Sequence, residues 1–306
     1  MFPIIPANSA TGASGNDEGI FGFGYAGGWT AVTNLVSNAG VVATDTAGVG
    51  TARYYNAACE YGGDKGIFGY GNTSHSTGRV SMSNLVSNAG VVATDVTGVG
   101  TARSNLAACG YGGDKGIFGF GKLNDNSRTA LTNLVSNAGV VATDTAGVGD
   151  ARSALAACEY GGDKGIFGYG DTGGYTAITN LVSNAGVVAT DVAGVGTARE
   201  KMAACEYGGD KGIFGYGYLA SYTAATNLVS NTGVVGTDVA GVGTLRMNLA
   251  ACEYGGDKGI FGYGYATGGL ANVSLTNLVS NTGVVAYDQV AETGTAREGS
   301  NACSFN

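Results

Sequence analysis

Short apolar runs punctuated by glycine recur along the whole chain. Gly-Ile-Phe-Gly followed by Tyr or Phe and then Gly occurs six times, with its Ile at Ile20, Ile67, Ile117, Ile166, Ile213 and Ile260. The steps between these are 47, 50, 49, 47 and 47 residues. Asn-Leu-Val-Ser-Asn also occurs six times, from Asn34, Asn84, Asn133, Asn180, Asn227 and Asn277. A fixed period of this length marks a tandem array of one supersecondary unit. No segment keeps an apolar stripe at helical spacing, and glycine every few residues would cost a helix about 1 kcal/mol each.

Each copy reads as four short strands. Around Ile117, Leu106 to Tyr111 is the first and Lys115 to Gly121 the second, joined by Gly112-Gly113-Asp114. Glycine supplies positive φ in such a turn and Asp can close it. After a variable segment, Leu131 to Ser136 is the third strand. Asn137-Ala138-Gly139 is a second tight turn of the Asn/Gly kind hairpins prefer, and Val140 to Asp144 is the fourth, rich in β-branched residues. Four antiparallel strands repeated at this period predict the blades of a β-propeller.

The chain ends predict how the array closes. Ala302-Cys303-Ser304-Phe305 repeats the first strand Ala251-Cys252-Glu253-Tyr254, whereas Ala10-Thr11-Gly12-Ala13-Ser14 is a poor first strand. The expectation is an all-β, six-bladed propeller of four-stranded antiparallel blades over 17–306. Residues 299–305 complete the first blade and remove exposed edges, and residues 1–16 form an N-terminal tail.

Gly100-Thr101-Ala102-Arg103-Ser104-Asn105-Leu106-Ala107-Ala108-Cys109 places an Arg before a small-residue strand, and Lys115 to Gly121 follows as a glycine-bounded second strand. In these features, through all six copies, the repeat resembles the kelch family of propellers. The resemblance implies the propeller fold rather than a particular partner. Two departures stand out. The kelch Gly-Gly doublet is Gly-Tyr-Gly or Gly-Phe-Gly here, as at Gly69-Tyr70-Gly71, and the kelch Trp of strand four gives way to Val91-Val92. The near-identical glycine-rich repeats are also similar in style to phage and virus structural proteins.

Composition narrows the function classes. The 306 residues include 57 Gly and 2 Pro, 12% are charged, and the net charge is −8. No basic stripe offers a nucleic-acid backbone its counter-charge, and no apolar run approaches the roughly 18 residues of a membrane helix. Met1-Phe2-Pro3-Ile4-Ile5-Pro6 lacks the basic n-region of a signal peptide. The expected home is a virion or extracellular appendage, reached from the cytoplasm without a signal peptide; a cytoplasmic home is the alternative.

Candidate chemistry is sparse. The cysteines Cys59, Cys109, Cys158, Cys205, Cys252 and Cys303 fall one per repeat without a Cys-x₂-Cys pair. They read as unpaired buried hydrophobes. Each repeat carries an Asp (Asp45, Asp95, Asp144, Asp191, Asp238, Asp288) eight or nine residues before an Arg (Arg53, Arg103, Arg152, Arg199, Arg246, Arg297). The recurrence reads as a structural pair; an anion-binding arginine ring is the other reading. His75, the only histidine, has no triad partners, and no asymmetric acidic residue stands out in the constant parts. No enzyme, cofactor or metal is expected.

Variation is confined. The segment between Gly-Tyr/Phe-Gly and Asn-Leu-Val has 9, 12, 11, 9, 9 and 12 residues and carries all the length differences between successive copies. The triplet after each Arg also varies, from Tyr54-Tyr55-Asn56 to Glu298-Gly299-Ser300. In an up-and-down meander both patches share one end, and loops on a rigid scaffold carry function. The expected ligand-binding residues are Tyr25, Trp29, Tyr54, Tyr55, His75, Arg79, Lys122, Asn124, Asp125, Asn126, Arg128, Tyr175, Tyr218, Tyr222 and Tyr265. Tyr beside Gly, Ser, Thr and Asn is the palette of recognition loops. The expected function is a non-enzymatic recognition or adhesion module contacting a host surface or glycan. The alternative is a purely structural block of a larger assembly, joined to other virion or appendage proteins through the tail or the constant face.

Overall fold

Glycine-bounded apolar segments too short for helices pair into sheets, and the computed structural model of the chain is all-β. It describes residues 17–75, 77–267, 269, 271–289 and 293–305, so the expected tail at 1–16 lies outside the described residues. Among the described residues there are seven three-stranded antiparallel sheets: a small one of Arg246–Met247, Tyr265–Ala266 and Ala271–Asn272, and six that repeat one pattern. Five follow the order first, middle, third, as in Ala57–Tyr61, Lys65–Gly69 and Ser83–Val86. The remaining sheet combines Glu18–Tyr25 and Trp29–Val36 with Asn301–Phe305, which pairs Ser304 with Gly19 and Ala302 with Phe21. First strands abut one another in sequence: Ala57–Tyr61, Ala107–Tyr111, Ala156–Tyr160, Ala203–Tyr207, Ala250–Tyr254 and Asn301–Phe305, which returns to Ala57–Tyr61. The apolar core is divided into six clusters, each shared by two consecutive sheets. One joins Cys59, Ile67 and Tyr70 to Leu106, Phe118 and Val135.

The expected fourth strand is not a ladder. The segment after Val140 meets the third strand, Thr132–Val135, at two isolated bridges, Val135 with Val141 and Thr132 with Thr145. Asn133 lies between the two bridges. Its buried side chain donates from Nδ2 to the Ala142 carbonyl and to Asp144 Oδ1, each at 2.9 Å, and so fills the place of a backbone pair.

The aromatic of Gly-Tyr-Gly has a structural role. Tyr70 has φ +63° and Gly71 φ +107°. A left-handed turn at a bulky residue is strained by about 1–2 kcal/mol. Here it turns the ring into the core, 5.2 Å from Phe118 and beneath the Arg103 guanidinium at 4.5 Å.

The Asp–Arg expectation needs correcting in its partners. Arg53 pairs at 3.8 Å with Asp95, not with the nearby Asp45; Asp45 instead accepts from Thr295 and Asn34, whose hydrogen bonds outweigh burial and lower its pKa. The linker runs from the outer segment of one sheet to the first strand of the next, which carries the Arg away from the Asp just behind it. Arg53 is fully buried. It donates to Asn84 Oδ1 at 2.6 Å and to the Thr51 carbonyl at 3.1 Å, and stacks over Phe23 at 4.2 Å. Asn84 donates in turn to Asp95, which also accepts from Thr51 Oγ1 at 2.6 Å. Arg53, Arg103, Arg152, Arg199 and Arg246 thus fasten the start of a sheet to its outer segment, while Arg297 donates to the Thr295 carbonyl. All six lie over an aromatic of the sheet before.

Two glycines of Gly-Ile-Phe-Gly mesh the sheets. A Cβ at Gly66 would lie 2.5 Å from Cys303 Sγ, and one at Gly69 would lie 2.7 Å from the Phe118 ring. Each sheet receives sulfur from one neighbour and an aromatic ring from the other. Gly66→Ala is expected to cost about 1–3 kcal/mol by overpacking. Cys303→Ala in the same chain should recover much of that loss, because the two sites share one contact. Urea denaturation of the two single variants and the double variant measures the coupling; simple additivity would refute the contact.

Candidate functional site

The two variable patches meet: Tyr54 bridges Asn72, Ser104 bridges Lys122, Ser153 bridges Asp171 and Glu200 bridges Tyr218. Two of the three nine-residue connecting segments prolong their strands, Glu18–Tyr25 with Trp29–Val36 and Lys164–Asp171 with Tyr175–Val182, while the third forms a separate hairpin of Tyr218–Leu219 and Ser221–Tyr222. Trp29 and Tyr175, expected in loops, are therefore the first residues of strands. Two aromatic clusters form there. In one, Trp29 lies 4.8 Å from His75, 6.2 Å from Tyr25 and 6.5 Å from Tyr54, and Tyr54 lies 4.2 Å from Tyr55. The Trp29 indole N–H is buried without a hydrogen-bond partner. In the other cluster, Tyr218 lies 6.0 Å from Tyr175 and 5.6 Å from Tyr222, and Tyr265 stacks near Tyr222 at 6.4 Å.

The polar residues tie one connection to the next. Arg79 donates to Asn126 Oδ1 at 2.8 Å and to Ser104 Oγ at 3.0 Å, and Arg128 to Asp171 Oδ2 at 2.6 Å. The Ala220 N–H donates to the Tyr175 hydroxyl at 3.2 Å, and Asn272 donates to the Tyr25 carbonyl at 2.8 Å. Lys122 bridges Ser104 and Arg128 through the backbone, Asp125 closes a turn on Ser127, and Asn124 is exposed. The aromatic groups are thus held by their surroundings, and the guanidinium of Arg128 is already paired.

Beneath these clusters a chain of backbone hydrogen bonds runs through all six repeats and returns to its start. Tyr55 N–H donates to Gly299, Gly299 to Asn248, Asn248 to Lys201, Lys201 to Ala154, Ala154 to Asn105, and Asn105 to Tyr55. Every bond is between 2.8 and 3.0 Å, and all six residues have φ between +52° and +58°.

The opposite end, made of constant turns, holds a feature the sequence reading missed. A cavity of about 260 Å³ is lined by Glu60, Glu159, Glu206 and Glu253 together with glycines of five turns. Burial drives these carboxyls up, and their mutual repulsion adds to it: Glu60 and Glu253 to about 8, Glu206 to about 7, and Glu159 well above the usual range. The position following each Cys is Glu60, Gly110, Glu159, Glu206, Glu253 and Ser304. The constant parts therefore do vary at an acidic residue, a signal available only when the six copies are aligned with one another. The cysteines just before are unpaired and buried, and desolvation raises their pKa.

Among the described residues no group of three or more His, Cys, Asp or Glu is placed to hold a metal ion, and no helix is long and apolar enough to cross a membrane. The chain matches no protein-family model and no curated protein.

Proposed function

We propose that the chain is a six-bladed, kelch-like β-propeller completed by its C-terminal strand, and that it is a non-catalytic recognition module of a virion or appendage. The cyclic adjacency of first strands and the return of the hydrogen-bond chain support the fold reading. The functional reading rests on one observation, the gathering of aromatic rings from separate repeats into two clusters at the variable end. Such rings offer rigid contact area at low entropic cost and stack on the C–H faces of sugars. With Arg128 neutralised by Asp171, the chemistry favours a neutral cell-surface glycan. Residues 1–16 or the constant end would then join the module to its assembly.

Replacing Trp29, Tyr175 and Tyr222 together by Ala tests this. On an array of neutral and sialylated oligosaccharides, the natural chain should retain neutral glycans and the triple variant should bind at least about a hundredfold more weakly, since central aromatic anchors dominate such interfaces. Equal binding by a folded triple variant would overturn the reading. A second reading, a structural block, draws on a different observation. Val41, Val91, Val140, Val187, Val234 and Val284 are each 64 or 65% exposed on the outer segments, and exposed apolar surface of that kind suits contact with neighbouring subunits.

A further inference from the structure

The glutamate-lined cavity has a consequence independent of what the variable end binds. Its four carboxyls stand on first strands that lie against one another, so they converge on one space. Apart from Lys115, the charged groups facing them are carboxylates. Glu60 faces Glu253 and Asp64; Glu159 faces Glu206, Glu60 and Glu253; Glu206 faces Glu60 and Asp210; Glu253 faces Glu206, Asp17 and Asp257. The lysines of the adjoining turns are engaged elsewhere: Lys65, Lys115, Lys164, Lys211 and Lys258 each pair with the Asp immediately before them, although Lys115 also lines the cavity. Behind the carboxyls lie the buried thiols of the same strands. The two positions without Glu relieve the crowding. A Cβ at Gly110 would run into the Glu159 carboxylate, which leans into that space and takes a backbone hydrogen bond from Gly110.

We propose that these four glutamates form a proton-controlled brace at the junction of the first strands: protonated, they let the strands close around the cavity, and ionised, they push the strands apart. The sign follows from linkage. Each carboxyl binds its proton more tightly folded than unfolded, so the folded chain holds protons that the unfolded chain releases. The stabilisation is fully present below the ordinary glutamate value of 4.5 and is lost as pH rises through about 7 to 8. Asp45, Asp95, Asp144, Asp238 and Asp288 have the opposite bias: hydrogen bonds from Thr and Asn, with help from Arg, outweigh burial and lower their pKa. Their contribution is present above the ordinary value of 3.8 and is lost as pH falls below it. The protein should therefore be sturdiest in mildly acid surroundings.

The test compares the natural chain with a variant carrying Glu60→Gln, Glu159→Gln, Glu206→Gln and Glu253→Gln, melted without divalent ions between pH 5 and pH 8, below the range where the six thiols ionise on unfolding. The natural Tm should fall by about 5–10 °C across that range, and the variant's curve should be flat. Parallel curves would overturn the proposal. If the quadruple variant does not fold, infrared spectra of the folded natural chain decide: a protonated-carboxyl carbonyl band at pH 6 that vanishes by pH 9 supports the brace, and no such band at pH 6 refutes it.

Discussion

A chain ending at Glu298 should lose its cooperative unfolding transition and associate. Truncation removes Asn301–Phe305, which forms one side of the sheet containing Glu18–Tyr25. It takes Cys303 and Phe305 from a cluster with Ile20, Phe23, Ala58, Phe68 and Val86. Loss of a buried Phe side chain alone typically costs about 3–5 kcal/mol, comparable with the whole stability of many domains. The deletion also bares Glu18–Tyr25 as an edge, the kind of surface that pairs with other chains, and breaks the hydrogen-bond cycle at Gly299. Thermal melting and gel filtration read the outcome. An unchanged melt in a monomeric product would show that the strand contributes little.

The second large effect belongs to the buried arginines. Arg199 donates to the Tyr216 carbonyl at 3.0 Å, the Thr197 carbonyl at 3.1 Å and Asn227 Oδ1 at 2.6 Å, and lies 3.6 Å from Asp238. Arg199→Ala leaves Asn227 Oδ1 without this buried donor and opens a void over Tyr169, which the guanidinium covers at 4.7 Å. Removing one partner of a buried charged network costs about 3–5 kcal/mol. Arg128→Ala should cost at most about 1 kcal/mol, because that pair is partly exposed and solvent weakens it. Urea unfolding of the two variants gives the comparison; equal losses would mean that burial does not set the arginines apart.

Much of the architecture was legible because six copies can be compared within one chain. Fixed spacings of Gly-Ile-Phe-Gly and Asn-Leu-Val located three strands per sheet, and the Cys-containing strand near residue 303 revealed its partner near residue 20. The fourth strand misled because Val140-Val141-Ala142 has strand composition, while the Ala142 carbonyl accepts from a side chain on another segment, Asn133. The Asp–Arg pairing misled for a related reason: a gap of eight residues looked local, yet Arg53 and Asp95 lie 42 apart in sequence. At the variable end, residue types pointed to aromatic recognition. It is the fold that gathers Tyr25, Trp29, Tyr54 and His75 into one group and Tyr175, Tyr218, Tyr222 and Tyr265 into another. The acid cavity stayed hidden because each repeat contributes at most one glutamate there.

The backbone hydrogen-bond cycle from Tyr55 through Gly299 and back also bears on how such a molecule can change over time. Near-identical coding repeats invite unequal recombination, which adds or removes whole units. An open stack could absorb such events at its ends. In a cycle where every repeat is both donor and acceptor, adding or losing a unit alters the angle of every remaining bond at once. The cycle thereby constrains copy number, a constraint that substitutions in the connecting segments escape.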